Sequence, residues 1–339
     1  MNWRNKTILV TGGTGSFGKK FIETVQAEHH PKKIIVYSRD ELKQYQMRSS
    51  GFDQDNMRYF IGNIRDLPRL RRAMEGVDIV VHSAALKQVP ACEYNPMEAV
   101  KTNILGSSNV VDAALDAGVE KVLALSTDKA VNPVNLYGAT KLSAEKLIVQ
   151  SNAYAGGRKT RLSCTRYGNV VGSRGSVVPV FIHQREENNT LTVTDKRMTR
   201  FWLTLEQGAR FVIHVIEEMR GGEVFVPKIP SMQIMDLARA VSPSAEIKVI
   251  GIRPGEKLHE VLISRDESRS TVELENMFVV QPVEAFWFGG EWKKLGQPVE
   301  DGFKYSSDNN TAWLNEEEIQ KIIEPFEELI ESQKHQKNS

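Results

Sequence analysis

The sequence predicts an α/β protein, with a doubly wound parallel sheet followed by a smaller mixed α/β domain. About six strand-like and helix-like segments alternate before residue 170, as in a sheet with crossover helices. A glycine-rich turn, TGGTGSFG, joins the first strand to the first helix. Val77 to His82 is an almost continuous apolar run, as expected for a strand buried on both faces of a parallel sheet.

The glycine-rich turn is the first candidate binding site. It follows the strand Thr7 to Val10 and contains Gly12, Gly15 and Gly18 with the spacing G-x-x-G-x-x-G. Between a strand and a helix, such glycines let the backbone approach a pyrophosphate, and the helix N-terminus adds positive potential. We therefore predict a Rossmann-like dinucleotide site, with a tight turn that binds no ligand as the alternative.

The end of the second strand, Lys33 to Tyr37, bears on the type of dinucleotide. A protein that binds NAD usually has a carboxylate here to hold the ribose 2′-hydroxyl. This chain has Ser38 and Arg39, with Lys43 one turn further on. A small hydroxyl and two cations suit a 2′-phosphate and favour NADP. The alternative is NAD, with Asp40 as the carboxylate.

Two further strands, Arg58 to Ile61 and Val77 to His82, should end at the same edge of the sheet. Ser83 and Ala84 follow the second of them, where the ribose and nicotinamide of a cofactor would lie. The histidine at the strand end is predicted to be packed rather than catalytic. Lys87 has two interpretations of equal weight, a contact to cofactor or substrate phosphate and a surface position.

A fifth strand, Val122 to Leu125, precedes the candidate catalytic residues. It should deliver the hydroxyls of Ser126 and Thr127 to its C-terminal end. Asp128 and Lys129 follow directly and provide an acid and a base where a substrate would lie.

Tyr137 and Lys141 form a Tyr-x-x-x-Lys pair, whose spacing places both residues on one face of a helix. A free tyrosine has a pKa of about 10, so its phenolate is scarce at neutral pH. An ammonium beside it favours the charged form and would make Tyr137 a proton acceptor. The pair alone is common on surface helices, but the strand, hydroxyls and acid–base pair before it indicate catalysis.

Composition limits the other classes of function. The 339 residues carry 44 basic and 43 acidic side chains, so no nucleic-acid or membrane partner is expected. Two cysteines and an early first strand indicate a cytoplasmic protein without a disulfide framework or signal peptide. The seven histidines are scattered without ligand spacing, so no metal site is predicted.

Longer strings resemble a known family across residues 5–314. They are similar to extended short-chain dehydrogenase/reductases, and in particular to the inverting UDP-N-acetylglucosamine 4,6-dehydratases of the pseudaminic-acid pathway and the related capsule and O-antigen 5-inverting dehydratases. The strings are TGGTGSFG, YSRDELKQ, ALKQVP, STDKA, NLYGATKL, RYGNVVGSRGSVVP, RMTRFW, FVPKIPSM and IRPGEKLHE.

The resemblance implies a tightly bound NADP that is regenerated in each cycle, a UDP-sugar substrate and a homo-oligomer. The implied catalytic residues are Thr127, Asp128, Lys129, Tyr137 and Lys141. The implied cofactor-binding residues are Gly12, Thr14, Gly15, Ser16, Phe17, Gly18, Ser38, Arg39, Asp40, Lys43, Asn63, Ile64, Ser83, Ala84, Lys87, Thr102, Tyr137, Lys141 and Val170. The implied substrate-binding residues are Lys87, Asn169, Thr194, Arg200, Arg253 and Glu256.

The expected domains follow from the same reasoning. Residues 1–170 should form the NADP-binding domain, with 198–226 returning to it. Residues 171–197 and 227–330 should form the UDP-sugar-binding domain, and 331–339 a disordered tail.

The expected reaction begins with oxidation at C4, which acidifies the C5–H bond so that water can leave across C5–C6. Retaining 4,6-dehydratases have Asp-Glu where this chain has Asp128-Lys129, so Lys129 suggests inversion at C5. A retaining dehydratase, a UDP-sugar 4-epimerase and a non-enzymatic nucleotide-sensing protein of this fold are the alternatives.

Overall fold

The computed structural model describes residues 1–171, 177–283 and 292–338, with side chains described as far as residue 327. Part of the predicted RYGNVVGSRGSVVP string, residues 172–176, lies outside the described residues, as does Ser339 of the predicted tail.

The strands of the described chain alternate with helices in its first half and are shorter in its second half. They are β1 Thr7–Thr11, β2 Lys33–Ser38, β3 Met57–Ile61, β4 Ile79–His82, β5 Lys121–Leu125, β6 Arg161–Thr165, β7 Asn169–Val170, β8 Thr190–Val193, β9 Thr199–Leu203, β10 Val224–Pro227, β11 Ser231–Gln233, β12 Glu246–Val249, β13 Val261–Ile263, β14 Thr271–Glu273, β15 Met277–Val280, β16 Gln297–Pro298 and β17 Tyr305–Ser306.

The helices of the described chain begin near the carboxyl ends of the strands that precede them. They are α1 Ser16–His29, α2 Glu41–Met47, α3 Leu67–Met74, α4 Val89–Tyr94, α5 Pro96–Ala99, α6 Gly106–Ala117, α7 Leu136–Gln150, α8 Val177–Asn188, α9 Leu205–Glu218, α10 Ile234–Val241, α11 Trp292–Leu295 and α12 Glu316–Asn338. Helix α12 includes residues 331–338, which we predicted to be disordered, because good helix formers such as Glu, Gln and Lys continue to its end.

Ten strands form one sheet within the described residues, in the order β16-β14-β15-β10-β6-β5-β4-β1-β2-β3. The parallel part from β3 to β6 has the Rossmann order 3-2-1-4-5-6. The predicted α/β class with a parallel sheet is therefore confirmed. The order in which successive strands are added to the sheet reverses between β1 and β4. Ligands of such folds bind at the carboxyl ends of the strands beside this point.

The apolar residues of the central strands form the core of this sheet. Leu9, Val10, Val80 and Val81 are all completely buried. Each such side chain stabilises the fold by about 1.5–3 kcal/mol through burial. This rigid centre fixes the positions at which β1 and β4 end.

The chain divides into two compact units. The first contains residues 1–167, 209–228 and 262–304, and the second contains 168–208, 229–261 and 305–339. We expected 227–330 to stay together, but 262–304 falls in the first unit because β14, β15 and β16 extend the large sheet. In the second unit, β7, β9 and β11 form one sheet and β8 pairs with β12.

Candidate active site

The glycine-rich turn packs closely against the neighbouring backbone. Gly12 has a φ of +69°, in the region that favours glycine, and a Cβ there would lie 3.0 Å from the Ala84 backbone. A Cβ on Gly18 would lie 2.6 Å from Gly13 Cα, so α1 packs tightly against the turn. Gly15 is the N-cap of α1 and provides no side-chain cap. The open cradle before this helix fits the diphosphate of a dinucleotide.

The ends of β1 and β2 meet beside this cradle. Thr14 Oγ1 and Ser38 Oγ share a buried hydrogen bond of 2.9 Å. Ser16 and Phe17 begin α1, and the Phe17 ring lies 6.2 Å from the ring of Tyr167. The structure thus brings the residues predicted to bind the pyrophosphate next to the hydroxyl of Ser38.

Asp40 is engaged by its own helix. Its Oδ1 accepts the Lys43 backbone N–H at 3.0 Å, and its Oδ2 lies 2.5 Å from Lys43 Nζ. This arrangement caps the N-terminus of α2. The charge of Lys43 is therefore balanced by Asp40. Arg39 is exposed, with no ion pair in the described part of the chain.

Two predicted cofactor residues, Asn63 and Thr102, both bond to Arg65. Asn63 Oδ1 accepts the Arg65 backbone N–H at 3.1 Å, and Thr102 Oγ1 accepts from Arg65 Nε at 2.9 Å. Arg65 also pairs with Glu98. Ile64, which lies between Asn63 and Arg65 in the sequence, is buried. Sequence reasoning did not identify Arg65 as the residue that joins these positions.

The residues after β4 continue the same edge of the sheet. Ser83 Oγ donates to the Thr11 carbonyl at 2.7 Å, and the Ala84 N–H donates to Thr11 Oγ1 at 3.3 Å. Desolvation and the nearby ammonium of Lys129 lower the pKa of Lys87. Lys87 and Lys129 are therefore close enough to interact electrostatically.

The strand β5 delivers hydroxyl and charged groups together, as predicted. Thr127 Oγ1 donates to Asp128 Oδ1 at 2.7 Å, and Lys129 Nζ lies 3.1 Å from the same oxygen. Asp128 is buried, whereas the side chain of Lys129 is 26% exposed. Ser126 Oγ is buried without a hydrogen-bond partner among the described residues. Such an orphaned hydroxyl fits a site completed by a ligand, and sequence reasoning did not name Ser126 as a binding residue.

Tyr137 lies beside this acid–base pair near the N-terminus of α7. Burial raises the pKa of Tyr137 to about 12, Lys129 and a hydrogen bond with Thr127 lower it, and Asp128 raises it. We predicted that the cation beside the phenol would be Lys141. Lys141 Nζ donates to the Leu125 carbonyl at 2.6 Å, and Lys129 is a further cation that favours the phenolate.

Gly138 explains how α7 approaches Lys129 so closely. A Cβ on Gly138 would lie 2.2 Å from the Lys129 carbonyl oxygen and 3.1 Å from Pro133 Cβ. The Gly138 N–H donates to the N-cap residue Asn135 at 2.8 Å. Only glycine fits between the helix and this carbonyl, a requirement that no residue spacing indicates.

The second unit contains the remaining predicted residues. Asn169 and Val170 form β7, where Val170 pairs with Leu203 of β9. Asn169 Oδ1 is buried without a partner among the described residues, and Thr194 Oγ1 donates to the Met198 sulfur at 3.3 Å. Asn169 therefore resembles Ser126 in having a buried polar atom available to a ligand.

Arg200 is a structural centre of this unit. It is 8% exposed, and its guanidinium donates to the carbonyls of Thr199, Leu258 and Lys257 at 2.7, 3.1 and 3.0 Å. It also lies 3.6 Å from Glu256, whose other oxygen accepts the Arg253 backbone N–H at 3.3 Å. Arg200, predicted to bind the substrate, is thus engaged by protein groups, whereas Arg253 is exposed.

Neither a metal cluster nor a membrane span is recorded for the described ranges. No group of three or more His, Cys, Asp or Glu side chains there could hold a metal ion. No helix in the same ranges is long and apolar enough to cross a bilayer.

Comparison with known proteins identifies a matching family model and similar proteins of known name. The family model described as "Polysaccharide biosynthesis protein" matches residues 8–282. The chain is 55% identical to the UDP-N-acetylglucosamine 4,6-dehydratase (inverting) of Campylobacter jejuni, over 95% of this chain and 98% of that one. It is 40% identical to a UDP-glucose 4-epimerase of Rickettsia felis, over 94% and 95% of the two chains.

Two solved structures share the fold. Pen from Bacillus thuringiensis superposes with a TM-score of 0.86 at 39% identity, over 95% of this chain and 99% of that one. The dTDP-glucose 4,6-dehydratase DesIV from Streptomyces venezuelae, solved with NAD bound, gives a TM-score of 0.67 at 24% identity over 74% and 86%. The second likeness concerns the fold alone.

Proposed function

Because this chain belongs to the polysaccharide biosynthesis protein family of extended short-chain dehydrogenase/reductases, we propose that it is an inverting UDP-N-acetylglucosamine 4,6-dehydratase. Its product would be UDP-2-acetamido-2,6-dideoxy-β-L-arabino-hexos-4-ulose. The observation that carries the proposal is the Asp128–Lys129 pair beside the buried Tyr137. The first unit would bind the dinucleotide, and the second would bind the UDP-sugar.

We infer that the dinucleotide is NADP. The Asp40 carboxylate caps α2 and pairs with Lys43, so it is already engaged where NAD would need it for a ribose hydroxyl. The exposed Arg39 remains to meet a 2′-phosphate beside Ser38, and arginine binds phosphate oxygens in a bidentate manner. Thr14, Ser16, Phe17 and Arg39 would hold this dinucleotide, whose chemistry would be reversible hydride transfer from C4 of the sugar and back to C6.

The residues at the end of β5 would move the protons of this reaction. Tyr137 would take the O4 proton as C4 is oxidised, with Lys129 and Thr127 favouring its phenolate. The resulting 4-ketone acidifies C5–H, and a base can then remove that proton while the C6 hydroxyl leaves as water. Asp128 and Lys129 are the acid–base pair available for this step.

Inversion at C5 is the distinctive part of the proposal. The retaining enzymes that this chain resembles have a glutamate in the second position of the pair. Lys129 takes that place here, with its Nζ 3.1 Å from Asp128 Oδ1. It would donate a proton to C5 with a geometry that differs from that of the glutamate. We therefore assign Lys129 to proton transfer at C5 and Asp128 to its partner or to the acid for O6.

We propose that Asn169, Arg253 and Glu256 contact the UDP-sugar. The buried, unbonded Asn169 Oδ1 and the exposed Arg253 support this role. Arg200 would shape the segment around Glu256 instead of contacting the diphosphate, because its donors are occupied by backbone carbonyls.

A 4-epimerase is the second candidate, favoured by the 40% identity to a protein of that name. An epimerase needs the tyrosine and the dinucleotide but has no need for the acid–base pair. Loss of water from the sugar therefore separates the two activities.

The test is incubation of the protein with UDP-N-acetylglucosamine and NADP⁺ in deuterated water, followed by proton NMR and mass spectrometry. Loss of water with deuterium at C5 and an L-arabino 4-keto product is expected. Loss of water with D-xylo geometry would contradict the role of Lys129 in inversion. Formation of the galacto epimer without water loss would identify an epimerase.

A further inference from the structure

A buried ion cluster joins the helix of Tyr137 to strand β6 and to residues 262–267. Arg166 follows β6, Glu145 lies on α7, and Glu267 lies after β13, all within the first unit. The side chains of Arg166 and Glu145 are 1% and 0% exposed, and that of Glu267 is 18% exposed. None of the three takes part in the chemistry proposed above.

Every N–H of the Arg166 guanidinium has an acceptor. Its Nε and Nη2 donate to the two oxygens of Glu145 at 2.9 and 2.5 Å. Its Nη1 and Nη2 donate to the two oxygens of Glu267 at 3.1 and 2.6 Å, and Nη1 also donates to the Leu262 carbonyl at 3.0 Å. An arginine has five such donors, so its orientation is completely determined.

The cluster carries more negative than positive charge. Burial would raise the pKa of Glu267, but Arg166 and two hydrogen bonds from Ser264 hold it below its ordinary value. Two carboxylates therefore face one guanidinium. The buried cation on the same helix is Lys141, one turn from Glu145, whereas the neighbouring Lys146 is exposed.

Tyr137, Lys141 and Glu145 follow one another at intervals of four residues and share one face of α7. Lys141 is fixed at its tip by the Leu125 carbonyl at 2.6 Å. Glu145 is fixed by Arg166, and the Glu145 carbonyl also accepts a contact from the Cys164 thiol at 3.9 Å. The face that bears the tyrosine is thus tied to β5 and β6 at successive turns.

We propose that Glu145, Arg166 and Glu267 form a positioning cluster that orients Tyr137 and Lys141 and keeps the Lys141 ammonium charged inside the protein. Arg166 and Glu267 hold the Glu145 carboxylate in place, and Glu145 offsets the desolvation of Lys141. The significance of this for turnover rests on the proposed proton transfer by Tyr137 and on the catalytic role predicted for Lys141. The electrostatic effect itself is a property of the folded chain without any ligand.

The surroundings of Lys141 identify Glu145 as a main source of this effect. Burial lowers the pKa of Lys141, whereas Cys164 on β6 and Glu145 on its own helix raise it. His82 on β4 also faces Lys141 and is neutral at physiological pH, because burial and the Lys141 ammonium lower its pKa to about 3. Removing the charge of Glu145 should therefore lower the pKa of Lys141.

The test compares Glu145→Gln with Glu223→Gln. Glu223 is also fully buried in the first unit, but it bonds to Ser163, the Gly221 N–H and Trp292. In the full-length protein labelled with [13Cε]lysine, the Lys141 signal, assigned by its loss in Lys141→Arg, is titrated by NMR. In Glu145→Gln the midpoint should fall by about one pH unit, and in Glu223→Gln it should stay unchanged.

The same variants distinguish positioning from simple destabilisation. Glu145→Gln should shift the alkaline limit of kcat to lower pH with little change in KM, and Glu223→Gln should change neither. Equal Lys141 midpoints in both variants would overturn the proposal. If Glu145→Gln does not fold, the less buried Glu267→Gln should shift the same midpoint by a smaller amount, and no shift there would also overturn it. The titration uses no substrate, so it remains decisive if the proposed reaction is wrong.

Discussion

Arg39 is the residue on which the choice of dinucleotide depends. It is exposed at the end of β2, whereas Asp40 and Lys43 neutralise each other. We predict that Arg39→Ala weakens NADP⁺ binding about 10- to 100-fold, as expected for the loss of a charge-assisted hydrogen bond, and leaves NAD⁺ binding unchanged. Calorimetric titration of both dinucleotides measures this.

The matched control is Arg72→Ala, which removes an exposed arginine from α3. It should alter neither affinity. Tighter binding of NAD⁺ than of NADP⁺ by the unmodified protein would show that Asp40, despite its capping role, serves the ribose.

Lys129 has two roles at the residue scale, since it forms half of the acid–base pair and also favours the Tyr137 phenolate. Lys129→Met should reduce the rate of dehydration by about 10²- to 10⁴-fold, the usual range for a general acid or base. Because the pKa of Tyr137 would rise further, the remaining activity should peak at higher pH. Initial rates measured between pH 6 and 10 give both effects.

An exposed lysine on the neighbouring helix α7 provides the comparison. Lys146→Met on α7 should keep the rate and the pH profile of the unmodified protein. A near-normal rate in Lys129→Met would remove Lys129 from the mechanism.

The helix α7 depends on a close approach that only a glycine permits. Gly138→Ala would put a methyl group 2.2 Å from the Lys129 carbonyl oxygen. We expect it to lower the free energy of unfolding by about 1–3 kcal/mol, as overpacking does, and to reduce kcat by separating Tyr137 from Lys129. Urea denaturation and steady-state rates measure the two effects.

Gly208→Ala in α9 is the control, since its Cβ would meet only Leu203 Cδ1 at 3.6 Å. It should be neutral or slightly stabilising, because alanine favours a helix over glycine by up to about 1 kcal/mol. Equal stability of Gly138→Ala and the unmodified protein would mean that α7 tolerates the shift.

At the element scale, the sequence was most informative where a signal is local. The strand before Ser126 and the Tyr-x-x-x-Lys spacing identify β5 and α7 because periodicity and adjacency are visible in the chain itself. The spacing predicts Lys141, its helical neighbour, as the cation beside Tyr137, and the fold adds the ammonium of Lys129. This second cation depends on how α7 packs against the turn after β5, which no spacing encodes.

The extension of the large sheet was not predicted for a similar reason. Strands β14, β15 and β16 have three, four and two residues. Segments this short carry almost no alternation signal. The pairing of β15 with β10, to which β14 and then β16 add, is set by contacts distant in sequence. The central parallel strands, by contrast, are buried on both faces and can be recognised in the sequence as apolar runs.

For the whole molecule, the buried histidine at the end of β4 should make stability depend on pH. His82 bonds to Thr11 Oγ1 at 2.8 Å and to Ser107 Oγ at 3.0 Å, and burial together with the Lys141 ammonium lowers its pKa to about 3. The unfolded chain, in which a histidine has a pKa of about 6.5, binds a proton that the folded chain does not. Stability is therefore lost as the pH falls from about 6.5 towards 3, by up to about 1.4 kcal/mol per pH unit from this group.

The change that isolates this effect is His82→Gln, which keeps a donor and an acceptor between Thr11 and Ser107 but cannot titrate. The free energy of unfolding in urea, measured at pH 7, 6 and 5, should fall less steeply with acidity in this variant. The difference between the two slopes at pH 5 should correspond to nearly one bound proton. His183→Gln, on the exposed face of α8, should keep the slope of the unmodified protein. Parallel slopes in all three proteins would mean that His82 accepts its proton without unfolding, so the polar contacts around it would have to rearrange within the folded sheet.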